Sequence, residues 1–523
     1  MTSVAAGAGH AWARRVAAAL PPALVTLLVL RYAVDVPYWD TWEWLDRHYP
    51  ADPSTGVLAR YWEPFNGHRV FVSLLVDRAL LWASDIDMLP RIALKLPLSL
   101  LTLFLHLALA RSTLPRGPGI IATAGLAALA FPLAYWPMWM DPRQFSIHLV
   151  VLALTTAIVV AAGRGSALVR CAVTAPLCLL ASLSYGPGAL AWPVVLLVLW
   201  SRQPRPSWSL LSLWVALGAV ATATQVIAAD AGAAFAPTAP ASWWATAHAA
   251  AAIAGLPVSP ALAALGYRPT RVLGAAGIAL FLTLGTTLWR ADRDTRVRAL
   301  PWLAIGAWGL LYVSAGAVAR GGLSLAALHD PRLAYGSAQF WSAIVALICL
   351  VRQRARGQQD RAGVVPPVAG VRWLVRLSLA AACVVGAGHA AAGMAIFSEH
   401  GGVARLHNQL DIGRACLGAP RRADDACLER LHPSADRVRA VTARLQQRGA
   451  AFLRAAQREH AQASATPCDS ARGASARATG VRLRSSAAPT VRYRTPAASS
   501  VTAGMADHSS RTRSTTPSSA PAE

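Results

Sequence analysis

Long apolar runs separated by short polar stretches dominate the chain as far as Phe397. Each run is about 18–22 residues long, which is the length of helix that crosses the hydrocarbon core of a bilayer. Backbone polar groups in lipid have to be bonded within their own segment, so such runs predict helices. We therefore predict an all-α, polytopic transmembrane helical bundle of about eleven spans. The predicted spans cover residues 16–34, 90–110, 119–138, 146–163, 171–186, 188–201, 209–229, 270–289, 301–319, 335–351 and 372–393.

The short loops between these runs alternate in character, and the alternation predicts the orientation. One set is basic, as at Arg111 and Arg116, whereas the other is aromatic and rich in turns, as in residues 136–142. Cytoplasmic loops carry an excess of Lys and Arg, so we predict a cytoplasmic N-terminus and an external C-terminus. Residues 241–265 are apolar but interrupted by prolines. Treating them as re-entrant or interfacial keeps the arginines at 290–298 on the cytoplasmic side.

Beyond the last predicted span the chain becomes polar. Residues 398–460 have helical periodicity, with apolar side chains on one face along 438–452, and predict a small external helical appendage. Cys416 and Cys427 lie eleven positions apart in this segment. Outside the cytoplasm, a disulfide between these two cysteines is the favoured state.

The end of the chain differs again in composition. Residues 461–523 are rich in Ser, Thr, Ala, Arg and Pro and poor in large apolar residues, which predicts a disordered tail. The predicted organisation is therefore a transmembrane domain over residues 1–397, the external appendage over 398–460, and this tail.

Composition agrees with a membrane protein. The chain is 55% hydrophobic and only 14% charged, whereas a soluble domain carries about 25% charged residues. Its formal net charge of +24 comes almost entirely from arginine, and Lys95 is the only lysine. Basic loops facing anionic lipid explain such a charge. Nucleic-acid binding would require a basic soluble domain with a recognisable motif, which the sequence lacks, so we expect no nucleic-acid partner.

The loop after the first span, residues 35–89, contains the first candidate chemistry. Asp40, Glu43 and Asp46 alternate with tryptophans there, and a helical turn would place Asp40 and Glu43 on one face. Carboxylates beside apolar surface lose hydration and their pKa values rise, which suits proton abstraction or metal binding. The alternative is a set of ordinary solvated carboxylates in an aromatic interfacial belt.

A second polar group follows in the same loop and consists of Glu63, Asn66, His68 and Arg69. It precedes an amphipathic stretch, residues 71–82, that we predict to lie along the membrane interface. A His–Arg pair near the headgroup region can hold a phosphate through charge-assisted hydrogen bonds. Contact with lipid headgroups is the alternative.

A third group, Arg320, Arg332 and Tyr335, lies in or beside a late loop that the predicted topology places outside. Arginines are usually in excess in cytoplasmic loops, so two arginines in an external loop need a reason. The planar guanidinium matches phosphate oxygens, so a phosphate or a lipid-linked diphosphate would supply that reason. The alternative is a local pair of Arg332 with Asp330 at the start of a helix.

The order of these features resembles the GT-C type of integral membrane glycosyltransferases, which includes the protein mannosyltransferases and the lipid A aminoarabinose transferases. More closely, the chain is similar to bacterial multispan proteins with a D-x-W…N-x-H-R first loop. In this sequence the pattern reads Asp40-Thr41-Trp42 and Asn66-Gly67-His68-Arg69. Those proteins also have a late R…RY-like loop, here Arg320 and Arg332 with Tyr335.

The resemblance implies a GT-C-like bundle that transfers a sugar, with inversion, from a polyprenyl-phosphate donor at the external face of a bacterial inner membrane. Membrane lipids and an unspecified glycan, lipid or protein acceptor would be the other partners. Asp40, or else Glu43, would take the proton of the acceptor hydroxyl. Residues implied in substrate binding are Glu63, Asn66, His68, Arg69, Arg320, Arg332 and Tyr335. Asp40 is followed by Thr41 instead of a second carboxylate, so the base and any need for a divalent cation stay open. No metal-binding motif or other cofactor is indicated.

Two other classes of function stay open. A transporter or flippase for a lipid-linked or anionic solute would place ionisable groups near the bilayer midplane, whereas the polar groups here cluster in loops. A non-enzymatic membrane scaffold would depend on residues 398–460 and would tolerate changes at Asp40 or Arg332.

Overall fold

The computed structural model of the chain describes residues 2–231, 242–259, 267–320, 328, 330–362 and 402–465. In these ranges the regular secondary structure is helical, apart from one isolated antiparallel bridge between Phe65 and His68. The predicted all-α fold class is therefore confirmed for the described residues. Met1–Ala463 form one compact unit.

The helices divide into membrane-length helices and shorter ones in the loops. In chain order they are α1 Thr2–Tyr32, α2 Thr41–His48, α3 Val57–Trp62, α4 Phe71–Ala83, α5 Leu89–Ala93, α6 Lys95–Thr113, α7 Ile120–Ala130, α8 Trp136–Met140, α9 Phe145–Ala162, α10 Ala167–Ser184, α11 Ala191–Ser201, α12 Trp208–Ala231, α13 Trp243–Gly255, α14 Tyr267–Trp289, α15 Arg293–Arg320, α16 Pro331–Ala362, α17 Gly402–Cys416, α18 Asp425–Leu428, α19 Ala435–Gln447 and α20 Ala451–Ala465.

Within the described ranges, nine helical stretches are long and apolar enough to cross a membrane, and each matches a predicted span. The chain is thus a multi-pass helical membrane protein. The nine stretches are Gly9–Tyr32, Leu89–Thr113, Ile120–Met140, Pro142–Ala162, Ala167–Ser184, Trp208–Ala229, Arg268–Trp289, Arg293–Arg320 and Pro331–Arg356.

Two of the eleven predicted spans have no such counterpart among the described residues. Residues 188–201 form a short 3₁₀ turn followed by α11, which has only 11 residues. The span predicted at 372–393 lies outside the described residues. For 241–265, the described part contains the 13-residue helix α13, which is shorter than the roughly 20 residues that a span needs. Residues 260–265 of this segment lie outside the described residues, so its re-entrant or interfacial placement stays a prediction.

The main core lies between the long helices and is filled by large aromatic side chains. Trp139, Trp302 and Trp308 are completely buried there. Glycines allow α13 and α14 to approach closely: a Cβ on Gly255 would lie 1.9 Å from the Thr270 carbonyl oxygen. Small residues let membrane helices pack backbone against backbone, because lipid gives no hydrophobic drive for their association.

The first loop has a separate core, which it shares with the C-terminal helices. Trp42 and Leu45 on α2 are completely buried in one cluster with Val438, Leu445 and Phe452. Helices α2 and α4, with flanking residues such as Val36 and Met88, supply one side of this cluster, and α17 to α20 supply the other. In the structure, the predicted appendage consists of helices that pack against the first loop through apolar side chains.

Charge is distributed unequally between the two ends of the bundle. At the end opposite the first loop, Arg202 donates to the Val297 carbonyl and Arg354 lies 3.7 Å from Asp292, which brings several loops together. Arginines at this end are Arg111, Arg116, Arg164, Arg170, Arg202, Arg205, Arg290, Arg293, Arg296, Arg298, Arg352, Arg354 and Arg356. This end is strongly basic, as the alternation of loops in the sequence predicts.

Candidate functional site in the first loop

Asp40 stands at the N-terminus of α2 but does not cap it. Aspartate is a favoured capping residue, yet no helix N–H bonds the Asp40 side chain. Instead Asp40 Oδ2 accepts a hydrogen bond from Arg143 Nη1 at 2.5 Å and another from Asn66 Nδ2 at 3.2 Å. The preceding residue, Trp39, has φ +49, a left-handed conformation that is uncommon outside glycine. The local fold therefore directs Asp40 away from its own helix and toward two other segments.

Asn66 and His68 are presented by a tight turn. Asn66 and Gly67 both have positive φ, +47 and +73. Phe65 and His68 exchange two backbone hydrogen bonds of 2.7 and 2.9 Å. An Asn-Gly pair is the favoured sequence for a two-residue turn with left-handed conformations at both positions. The turn places the side chains of Asn66 and His68 at one edge of a pocket.

The loop between α8 and α9 supplies the opposite edge. Asp141 Oδ2 accepts from Arg143 Nη2 at 2.9 Å and from Gln144 Nε2 at 2.8 Å, and Asp141 Oδ1 accepts from the Arg143 backbone N–H at 3.0 Å. Burial raises the pKa of Asp141, but the Arg143 charge and these hydrogen bonds outweigh it and hold the pKa below its usual value. Arg143 therefore bridges two carboxylates, those of Asp40 and Asp141.

The third edge of the pocket is formed by Arg332, at the start of α16. Arg332 Nη2 and Arg320 Nη1 both donate to Asp330 Oδ2, at 2.7 and 2.9 Å. Burial raises the pKa of Asp330, but the two guanidinium groups hold it well below its usual range. Asp330 also accepts from the Arg332 backbone N–H at 2.8 Å. Two guanidinium groups thus share one carboxylate beside the pocket.

These segments line a small pocket that opens to solvent. Its polar lining faces aromatic and aliphatic side chains, among them Trp44 and Phe65. The polar groups that line it are Asn66, His68, Arg143, Gln144, Ser146, Tyr185 and Arg332. Most of these groups are hydrogen-bond donors, so the pocket suits an anion.

His68 lies in the wall of the pocket, against Tyr185 and Gly186. The His68 and Tyr185 rings are 4.9 Å apart, and a Cβ on Gly186 would lie 2.4 Å from His68 Nδ1. Burial, followed by the positive charges of Arg332 and Arg320, lowers the pKa of His68 to about 4. The imidazole is therefore neutral at neutral pH.

The structure brings together part of the predicted site. Asn66, His68 and Arg332 line one pocket, and Asp40 bonds two of its lining residues. Arg320 lies behind Arg332 and is connected to the pocket through Asp330. The first loop, residues 35–89, and the late loop thus meet at the same end of the bundle.

Glu43 points away from Asp40. Its Oε1 accepts from Arg437 Nη1 on α19 at 2.6 Å, and His432 Nε2 lies 3.8 Å from the same oxygen. His432 lowers the pKa of Glu43 most, and Arg437 adds to the effect against burial. The expectation that Asp40 and Glu43 share one functional face is not met, because α2 places Glu43 against the C-terminal helices.

Three other predicted substrate-binding residues lie outside the pocket lining. Glu63 is exposed on the loop. Arg69 Nε donates to the Thr224 carbonyl on α12 at 3.3 Å. Tyr335 is completely buried below the pocket, with its hydroxyl 3.1 Å from Ser99 Oγ. Arg69 and Tyr335 therefore hold helices together instead of facing a ligand.

Sequence reasoning missed Arg143, Asp141 and Tyr185. The pattern of the chain distinguishes the aromatic, turn-rich loop at 136–142, but not the arginine that follows it. Arg143 is an arginine on the side predicted to be external, and the argument that singled out Arg320 applies to it equally. Asp141 and Tyr185 lie in aromatic, turn-rich segments that the sequence pattern distinguishes, but they were not chosen as site residues because an aspartate or tyrosine at a helix end is common.

Within the described ranges, no group of three or more His, Cys, Asp or Glu side chains is placed to hold a metal ion. The neighbour of Asp40 is the guanidinium of Arg143, not a second carboxylate. Cys416 and Cys427 form a disulfide, with their Cα atoms 6.2 Å apart, that joins α17 to α18.

A comparison of the chain with known protein families finds no family model that matches, and a search of curated proteins finds no match either.

Proposed function

We propose that the chain is a membrane glycosyltransferase, which transfers a sugar from a polyprenyl-phosphate donor to an acceptor at the external face of the membrane. The observation that supports this most is the hydrogen bonding of Asp40 to Asn66 and Arg143, which line one pocket together with His68 and Arg332. A potential proton acceptor thus lies beside a group of anion-binding donors. Such a pair is what transfer from a sugar phosphate requires.

In this proposal Arg332, His68 and Asn66 bind the phosphate of the donor. Guanidinium and imidazole N–H groups form charge-assisted hydrogen bonds to phosphate oxygens. When the bond between the sugar carbon and the phosphate oxygen breaks, its electron pair stays on that oxygen. The same donors then stabilise the charge that develops there. The polyprenyl chain would leave the pocket toward the lipid.

Asp40 is the proposed general base. Both of its bonds among the described residues go to Oδ2, which leaves Oδ1 for the acceptor hydroxyl. Oδ1 takes the hydroxyl proton as the acceptor oxygen forms its bond to the sugar carbon. Arg143 keeps the carboxylate oriented, and the N-terminus of α2 favours its negative charge. Proton transfer of this kind contributes about 10²–10⁴-fold to the rate.

The proposed orientation follows from the distribution of charge. The arginine-rich end of the bundle would face the cytoplasm and its anionic lipids. The pocket would then open on the external face. A bacterial inner membrane, with a cytoplasmic N-terminus and an external C-terminus, is the setting that we propose.

The test is a transfer assay with protein in lipid nanodiscs and a panel of polyprenyl-phosphate sugars. We expect Asp40→Asn to reduce transfer by about 10²–10⁴-fold and to leave donor binding intact. The matched control is Asp46→Asn on the same helix, because Asp46 pairs with Arg444 at 2.5 Å, away from the pocket. Undiminished transfer by Asp40→Asn would remove Asp40 from the chemistry.

One observation favours a second candidate, a transporter or flippase for a lipid-linked or anionic solute. Lys95, His106 and His148 are completely buried within candidate membrane spans, and ionisable groups in spans often mark solute pathways. Movement of labelled polyprenyl phosphate across proteoliposomes, without transfer of sugar, would support this candidate over the first.

A further inference from the structure

Lys95 is the only lysine among the 49 basic residues of the chain. Its side chain is completely buried at the start of α6. The ammonium donates to three backbone carbonyl oxygens, those of Met138 at 3.0 Å, Trp139 at 2.7 Å and Asp141 at 2.8 Å. All three donors of the ammonium are therefore used.

These carbonyls belong to the end of α8 and the residue after it. The last carbonyls of a helix have no partner within the helix, so buried ones need a donor from elsewhere. An ammonium offers three donors from a single nitrogen. A guanidinium spreads its donors over a planar fork and cannot direct three of them from one atom. All other basic residues of the Lys/Arg type are arginine, and the single lysine lies where one nitrogen donates hydrogen bonds to three carbonyl oxygens.

The segment held by Lys95 leads directly to the pocket. Arg143 follows two residues after Asp141, lies against both Asp141 and Asp40, and lines the pocket. A shift of the carbonyls at 138–141 would move Arg143. The position of Asp40 would change with it, because Arg143 Nη1 is 2.5 Å from Asp40 Oδ2.

One turn further along α6, Ser99 makes a parallel set of contacts. Ser99 Oγ lies 2.7 Å from His148 Nδ1 on α9 and 3.1 Å from the Tyr335 hydroxyl on α16. Tyr335 is three residues after Arg332, on the helix that contributes the third edge of the pocket. The same face of α6 thus contacts both α9 and α16. Arg143 lies two residues before α9, and Arg332 lies in the first turn of α16.

We propose that Lys95 is a positioning residue, whose ammonium fixes the 138–143 segment so that Arg143 meets Asp40 at the pocket. What the pocket binds rests on the proposed function, but the positioning itself does not.

The first experiment measures local opening by limited trypsin digestion in detergent, with cleavage sites identified by mass spectrometry. Lys95→Met leaves buried carbonyls without a donor, so we expect cleavage after Arg143 to rise by about tenfold or more. Cleavage after Arg78 in α4 should not change. Lys95→Arg should behave like Lys95→Met. Wild-type resistance in Lys95→Met would overturn the proposal, and wild-type resistance in Lys95→Arg would overturn the assignment to the ammonium.

The second experiment does not need the Lys95 variants to fold. Coupling between two sites is reciprocal, so Arg143→Gln should increase the labelling of Lys95 by an amine-reactive ester, which the single lysine makes easy to locate. Arg437→Gln, which removes a partner of Glu43, is the matched control. Equal labelling in the two variants would overturn the proposal.

A third measurement separates this proposal from the proposed function. Binding of polyprenyl phosphate should weaken in Lys95→Met by about tenfold. If the wild-type protein neither binds polyprenyl phosphate nor transfers sugar, the proposed function fails. The cleavage and labelling results would still decide the role of Lys95.

Discussion

Asp77 is a completely buried carboxylate in α4, and its replacement tests what holds the first loop in shape. Arg91 Nη2 donates to Asp77 Oδ2 at 2.7 Å, while Arg91 Nε lies 2.5 Å from Asp77 Oδ1. His48 Nε2 lies 2.7 Å from the same Oδ2, and His48 Nδ1 is 2.6 Å from the Tyr61 hydroxyl. This cluster joins α2, α3, α4 and α5 inside the loop that presents Asp40.

Asp77→Asn keeps the size of the side chain and removes its charge. Arg91 and Asp77 are both 0% exposed, so the substitution leaves a buried guanidinium without a counter-charge. Breaking one partner of a buried ion pair costs about 3–5 kcal/mol. At about 1.4 kcal/mol per factor of ten, the open population of the loop should rise by roughly two to four orders of magnitude. The amide oxygen of the introduced asparagine can still accept from His48, so the loss is assigned to Arg91.

The assay is trypsin cleavage after Arg78, which lies in α4 beside Asp77. When opening is fast compared with cleavage, the rate follows the equilibrium population of the open loop. Asp77→Asn with Arg91→Met removes both charges, so no buried guanidinium is left without a counter-charge. The double variant should therefore be far more resistant than Asp77→Asn alone. Equal sensitivity of the two variants, or a single-variant effect below about 1 kcal/mol, would refute the reasoning.

Three further predictions concern pH and oxidation state. A bound phosphodiester should raise the pKa of His68 above about 4. Binding should therefore strengthen as pH falls from 7.5 to 5, as measured by titration in nanodiscs. Burial, together with Asp87, raises the pKa of Asp35 to about 7 in the folded protein, so the folded wild type loses stability as pH rises from about 4 to 7. The melting temperature of Asp35→Asn should therefore rise above that of the wild type between about pH 4 and 7, and it should stay higher above pH 7. Replacing Cys416 by Ser should cost about 2–3 kcal/mol, read as a lower melting temperature that reductant no longer changes.

Each of these predictions has its own control. His68→Gln should bind with no pH dependence beyond that of the ligand, and an equal slope in both proteins would contradict the role of His68. Asp35→Asn should follow the wild type at pH 4, and a constant difference at all pH values would contradict the shifted pKa. Reductant should lower the melting temperature of the wild type by the same amount as Cys416→Ser, because both open the same disulfide.

Hydropathy was sufficient to predict most of the fold. Nine predicted spans correspond to membrane-length helices because length and apolar character alone determine which segments suit the bilayer. The predicted helix along residues 71–82 also corresponds closely to α4, Phe71–Ala83. The sequence could not reveal that α2 shares a core with α19 and α20, because packing between distant segments leaves no local pattern.

The candidate site was predicted in part for a similar reason. Asn66, His68 and Arg332 were chosen for their chemistry, and the structure places them around one pocket. Glu43 is a carboxylate like Asp40, but it accepts a hydrogen bond from Arg437 on α19. Only the rotation of α2 distinguishes the two carboxylates, and that rotation depends on contacts with residues nearly 400 positions away.

That distance in sequence has a consequence for how the protein is made. Glu43 and Arg437 are separated by 394 residues. At about 5–20 residues per second, a ribosome needs roughly 20–80 s to cover that interval. Until then the apolar face of α2 lacks its partners, although its membrane neighbours have already been inserted. Biogenesis of the pocket therefore finishes late, and the nascent loop needs protection from aggregation and proteolysis for longer than any of the helices around it.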